Sequence, residues 1–165
     1  MKISARSRYA TRVLLELALR WGEGPILVKD IARRQHIPLP YLQQIIGPLT
    51  KKQIIETFRG PRGGISLLRP PNEIRLSEVV QLLDGSIARV RCVDNPETCA
   101  LSGRCVTHDI WSEVKKATSK VLESVTLEEL VGRWRQKVFQ NDRANKYRDM
   151  MGRSNSFCRS DTGCC

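Results

Sequence analysis

The hexapeptide Arg59-Gly60-Pro61-Arg62-Gly63-Gly64 constrains this chain more than any other stretch. Glycine tolerates positive φ and proline fixes its own, so this density of both favours a tight turn over any regular element. Short β-like runs flank it at 54–58 and 65–68. The segment therefore reads as a two-stranded hairpin whose tip carries two arginines.

What precedes the hairpin is helical. Residues 3–21 place Ala10, Val13, Leu14, Leu17 and Trp21 on one face, with Arg6, Arg12, Glu16 and Arg20 elsewhere, and Gly22-Glu23-Gly24-Pro25 ends the pattern. A shorter helix fits 28–36, with Val28, Ile31 and Ala32 facing inward. Ile37-Pro38-Leu39-Pro40 is a turn, because each proline holds its predecessor extended while Pro40 itself suits a helix start. The third helix, 40–52, buries Leu42, Ile45, Ile46 and Leu49 and leaves Tyr41, Gln43 and Gln44 outward, with a kink expected at Gly47-Pro48. After a linker at 69–73, residues 76–84 form a helix on Val79, Val80, Leu82 and Leu83, stopped by Gly85. Two helices, a tight turn, a third helix and a hairpin are the order of a winged helix-turn-helix. The expected fold is mainly α with a small β wing: residues 1–84 form the winged domain, its helix-turn-helix at about 28–51 and its wing at about 54–68.

Residues 85–106 lack periodicity and hold Cys92, Cys99 and Cys105. A long helix follows from an N-cap at Thr107, with Trp111, Val114, Thr118, Val121, Leu122 and Val125 recurring at helical intervals. A final helix starts near Thr126, which makes a capping box with Glu129 and carries Leu127, Leu130, Val131 and Trp134. The segment 135–165 is a basic tail, and beyond Asp142 its polar composition predicts disorder.

Lysine and arginine number 28 against 17 acidic residues, a net charge of +11. Such an excess suits a polyanionic partner, since each cation set beside a phosphate releases condensed counterions. No apolar run approaches the roughly 18 residues of a membrane span, and the N-terminus lacks the pattern of a signal peptide. The expected location is the cytoplasm, where six cysteines point to metal or redox chemistry before disulfides. With two histidines and none of the common hydrolase, zinc-protease or dinucleotide motifs, nothing assembles a nucleophile with a base, so neither an enzyme nor a small-molecule substrate is expected.

A DNA-reading helix needs polar side chains that reach base edges. Gln43 and Gln44 supply them beside Tyr41, and glutamine can bond adenine N6 and N7 together. Arg59 and Arg62 suit the narrow minor groove, where the potential is most negative. Lys2, Lys29, Lys51 and Lys52 are phosphate-contact candidates, which position without specifying. The expected partner is therefore double-stranded DNA.

Six residues separate Cys92 from Cys99 and five separate Cys99 from Cys105, with turn signals at Asn95-Pro96 and Ser102-Gly103. The loop can fold back and gather three sulfurs, while His108 is spaced to add a nitrogen ligand. Arg89, Arg91 and Arg104 would lower thiol pKa values and offset an anionic cluster. Thiolates are the usual ligands of iron–sulfur clusters, yet a Cys3His zinc site or a metal-free regulatory loop fits the spacing too, and the same cysteines would serve an electron carrier or metalloenzyme. Cys158, Cys164 and Cys165 sit in the tail and build no preorganised site.

Arg8-Tyr9-Ala10, Tyr41-Leu42-Gln43-Gln44-Ile45-Ile46, the wing hexapeptide and Cys105-Val106-Thr107-His108-Asp109-Ile110-Trp111 together resemble the IscR-type iron–sulfur regulators, whose relatives include NsrR, RirA and CymR. The likeness runs from about Met1 to Trp134. It implies a homodimeric winged-helix repressor or activator whose long helix, here about 107–125, pairs with its mate, so that 107–134 becomes the dimerisation region. It further implies a 2Fe–2S cluster on Cys92, Cys99, Cys105 and His108 that controls DNA affinity or operator choice, with Arg59 in the minor groove and position 43 reading bases. Three departures stand out. Family members often carry Glu at position 43 and Ser at 38 and 40, where this chain has Gln43, Pro38 and Pro40. The first cysteine gap is six residues instead of five, which leaves a 4Fe–4S form open. Arg8 stands where the nitric-oxide-sensing branch can use an aspartate ligand.

Overall fold

The computed structural model describes residues 3–60, 63–88 and 90–154, with the side chains of 141–154 excepted. Lys2, Arg62, Arg89, Cys158, Cys164 and Cys165, all named above, lie outside the described residues. Two compact units divide the chain, Met1–Val131 and Gly132–Cys165.

The first unit is built from α1 (Ala5–Leu19), α2 (Val28–Gln35), α3 (Leu39–Lys51), the hairpin β1 (Ile55–Phe58) and β2 (Gly64–Leu67), α4 (Leu76–Asp84), the single turn α5 (Arg91–Asp94) and α6 (Val106–Ser124). It closes with the start of α7 (Leu127–Ser154). Short 3-10 turns lie at Pro71–Glu73, Pro96–Thr98 and Ser102–Arg104. The core is the meeting of the apolar faces anticipated from periodicity: Val13, Leu14, Ile31, Leu42, Ile45, Leu49, Ile65, Val79 and Leu127 are fully or almost fully buried. This is a mainly helical winged helix-turn-helix, as the order of elements predicts.

Local chemistry explains the ends. The Ser4 hydroxyl accepts from the Ser7 N–H and caps α1. His36 takes a left-handed conformation, φ 52°, and its N–H closes α2 onto the Arg33 carbonyl. Helix α3 is continuous from Leu39 to Lys51, with Pro48 inside it, where the ring nitrogen has no hydrogen to donate to the preceding turn. In the wing, Ile55 pairs with Leu67 and Phe58 with Gly64 in antiparallel register. Ile26 adds a third rung, exchanging two 2.9 Å hydrogen bonds with Ile65. A Cβ at Gly64 would lie 2.3 Å from the Ile26 carbonyl oxygen, so this approach of two backbones requires glycine.

Four expectations are corrected. Glu16 is buried, because Arg34 Nε and Gln35 Nε2 donate to its carboxylate and tie α2 to α1. Trp21 and Trp134, assigned to apolar faces, are largely exposed. The N-cap of α6 is Cys105, not Thr107, whose hydroxyl instead lies 3.1 Å from the Cys105 sulfur. The helix α7 continues to Ser154, past the point where a structureless tail was expected. Its run of Arg, Gln, Lys, Ala and Met lacks any proline and favours helix over coil.

The long helix α6 joins the rest of the unit at both ends. At its C-terminus, Leu76 N–H donates to the Val125 carbonyl and Leu127 N–H to the Ile74 carbonyl, both at 3.0 Å, while Arg75 donates to the Glu123 carbonyl at 2.9 Å. The cap expected at Thr126 is also present, with Glu129 N–H donating to the Thr126 hydroxyl at 3.2 Å.

Candidate nucleic-acid interface and metal centre

Helix α3 has two faces. Leu42, Ile45 and Leu49 are wholly buried and hold it against α1, α2, α4 and β1. Opposite them, Leu39, Pro40, Gln43, Gln44 and Gly47 form one exposed stripe at helical spacing. Gln43 and Gln44 stand free, as the sequence predicts. Tyr41 does not: its ring is half-buried and meets Tyr9 edge-on, with centroids 5.6 Å apart and planes at 90°. The aromatic contact outweighs solvation of one face, and Arg12 completes the group 5.8 Å from the Tyr9 centroid.

Around the stripe, Lys29 is exposed in the first turn of α2, and Lys51 and Lys52 are exposed at the far end of α3. Arg59 is exposed at the wing, directly after β1. A helix with two glutamines on its outer face, flanked by lysines and followed by an arginine-bearing wing, suits the chemistry of a duplex. Glutamine carries both a donor and an acceptor suited to a base edge, and lysine and arginine carry the charge suited to phosphates. Glu16 is the residue that sequence reading missed here. Its clasp on Arg34 and Gln35 fixes α2, and thereby the helix-turn-helix, to α1. The only signal available was a carboxylate on α1 with a basic partner 18 positions away.

The cysteine-bearing segment is made of consecutive tight turns. Cys92 lies in α5, Cys99 follows the turn Pro96–Thr98, and Cys105 follows the turn Ser102–Arg104. All three are free and partly buried. The segment folds back on α6 through two contacts: His108 Nε2 lies 3.1 Å from the Cys92 carbonyl oxygen, and Lys115 donates to Asp94 at 2.7 Å. Lys115, followed by the Ser86 hydroxyl, holds the Asp94 carboxyl below its ordinary value. The Thr107 hydroxyl and then the His108 N–H lower the Cys105 thiol pKa. Its place at the N-terminus of a 19-residue helix acts in the same sense, because the helix end favours an anion.

Among the described residues no three His, Cys, Asp or Glu side chains converge closely enough to hold a metal ion. The expectation that the loop gathers the three sulfurs is thus met in the fold-back of the chain and not in the approach of the thiols. Each cysteine is held by the backbone bonds of its own turn, and neutral thiols have no attraction that would draw them together. The donor set itself fits an iron–sulfur group: three free cysteines on one segment, with His108 anchored beside Cys92.

Comparison with known proteins identifies the family. The Rrf2 family, described as an iron-dependent transcriptional regulator, matches residues 3–133. The HTH-type transcriptional regulator IscR of Pectobacterium atrosepticum is 37% identical over 131 residues, covering 79% of each protein. Among solved structures, IscR of T. potens superposes with a TM-score of 0.66 at 32% identity, over 81% of this chain and 88% of that one. CymR, the global cysteine regulator of B. subtilis, does so with a TM-score of 0.68 at 31% identity, over 81% and 98%. These relatives are transcriptional regulators and not enzymes, and no described helix here is long and apolar enough to cross a membrane. The chain belongs to the Rrf2 family of DNA-binding transcriptional regulators.

Proposed function

We propose that this protein is a homodimeric regulator whose DNA affinity or operator choice is set by an iron–sulfur cluster on Cys92, Cys99, Cys105 and His108. The observation that carries the reading is the attachment of α6. One end begins at Cys105 and holds the Cys92 turn through His108; the other is hydrogen-bonded to residues 74–76, at the entry to α4. Helix α4 packs in turn on α3. Closing thiolates around a bound group would order the 85–106 segment and bias the position of α6, a bias that α4 passes to the reading helix. The shift in DNA affinity is limited by the difference in cluster affinity between the two states.

Dimerisation is supported by the outer face of α6. None of its residues is buried, and Ile110, Val114 and Val121 are 52%, 39% and 62% exposed. With Ala117 they repeat at intervals of four, three and four, the spacing of a helix–helix seam. A second α6 of another copy would cover that stripe and set two reading helices toward half-sites about 34–36 Å apart.

Anaerobic purification with an absorption spectrum and iron and sulfide assays tests the cofactor. Brown protein with matched iron and sulfide is expected; a colourless zinc-bearing protein refutes the cluster and leaves a zinc-dependent regulator. Gel-shift titrations of the holo protein and of a Cys92/Cys99/Cys105-to-Ala variant test the control. Equal affinity on every duplex would reject cluster-dependent sensing.

A further inference from the structure

We infer that Leu39 and Pro40 read the 5-methyl groups of thymines in the major groove, making the first turn of α3 a thymine-selective element. This rests on α3 being the major-groove helix, and it adds to that reading the base type that the leading turn prefers.

In a helix-turn-helix the N-terminal residues of the second helix meet base edges. In this chain that turn presents carbon. Pro38 occupies the N-cap position and makes no side-chain capping bond, and Leu39 and Pro40 follow it. Tyr41 is turned against Tyr9 and Leu42 is in the core. The first exposed side chain of α3 able to hydrogen-bond a base is Gln43, one helical turn further on.

Leu39 is 39% exposed, although α3 has buried positions that take leucine and isoleucine completely. It lies four residues before Gln43, and Pro40 lies three before Gln43 and four before Gln44, so apolar and amide groups share one face. Gly47 extends that face with nothing within 4 Å of its missing Cβ, so no packing contact calls for a glycine there, and a bare surface lets the helix seat closely in the groove. Among base edges in the major groove only thymine offers a methyl group, and apolar side chains discriminate bases there by covering it. Gln43 beside them suits adenine, so the face as a whole favours A·T steps.

The test uses the full chain under anaerobic conditions. Duplexes are first selected from a random-sequence library, and each thymine of the selected half-site is then replaced by deoxyuridine, which deletes only the methyl. Covering one methyl is worth about 0.8 kcal/mol, or about fourfold in affinity. One or two positions per half-site are expected to show that loss with the wild type. Leu39→Ala or Pro40→Ala is expected to bring the thymine-to-uracil ratio at its position to about one. The ratio is measured within each variant, so it is independent of how much of a preparation is folded. Gln43→Ala is expected to relax selection at a neighbouring base while leaving the ratio at about four. Uniform affinity across all uracil substitutions, or a ratio preserved in both apolar variants, overturns the proposal. If Gln43→Ala alters neither affinity nor the selected sequence, the assignment of α3 to the major groove fails instead, and the two failures are told apart.

Discussion

Removing the Glu16 carboxylate should loosen the helix-turn-helix from α1. Its side chain is 8% exposed, and its partner Arg34 is 35% exposed. Two donors reach it, Arg34 Nε and, at 2.8 Å, Gln35 Nε2. A hydrogen bond to a charged group nets about 1.5–3 kcal/mol, and breaking a fully buried ion pair costs about 3–5 kcal/mol. Arg34 is open enough to rehydrate, which brings the expected loss for Glu16→Ala down to about 2 kcal/mol. For a chain of this length that is a fall of roughly 4–8 °C in Tm. Urea unfolding measures it directly, with exposed Glu23→Ala as the control, expected within about 0.5 kcal/mol of wild type. A double-mutant cycle with Arg34→Ala should return a coupling of about 1 kcal/mol or more, since the residues touch. A Glu16→Ala loss below about 0.5 kcal/mol with no coupling would mean the carboxylate is effectively solvated, and the clasp would have no energetic content.

Gly64→Ala places a Cβ 2.3 Å from the Ile26 carbonyl oxygen and must displace the paired Ile26–Ile65 bonds; a loss of about 1–3 kcal/mol in urea unfolding and weaker DNA retention are expected. Asp84 gives a pH signature: burial opposes its ionisation, but the Ser4 hydroxyl and N–H and the charge of Arg6 outweigh burial and lower its pKa from 3.8. The folded state therefore binds the proton less readily than the unfolded chain, so this contribution is present above about pH 4 and lost as pH falls through the lower folded value. Asp84→Asn should flatten that acid-side slope, as measured by unfolding at a series of pH values. On α6, Ile110→Asp with Val121→Asp puts charge on the exposed apolar stripe; sedimentation is expected to show a dimer for the unaltered chain and a monomer for the variant, and a dimer in both would place the interface elsewhere.

Helical periodicity and Gly/Pro punctuation are local properties, and they determined what could be read without coordinates. The helix ending at Asp84, the helix α3 with its buried Leu42, Ile45 and Leu49, and the hairpin all follow from residues within one or two turns of each other. The residue types of the candidate site are also local features of the sequence, but the spacing of three cysteines and a histidine fits iron–sulfur, zinc and metal-free readings alike. Tertiary structure decided the rest, because the solvation of a polar or aromatic group depends on partners far along the chain. Glu16 is buried only because Arg34 and Gln35 arrive beside it, and Tyr41 leaves the outer face of α3 only because Tyr9 offers its ring. The same holds for Ile26 joining the wing and for residues 74–76 gripping 125–127, contacts of single residues that leave no periodic trace. A pattern of apolar residues says which face of a helix avoids water; only packing says whether a distant donor lets a charge accompany it, or which apolar stripe is left for another molecule to cover.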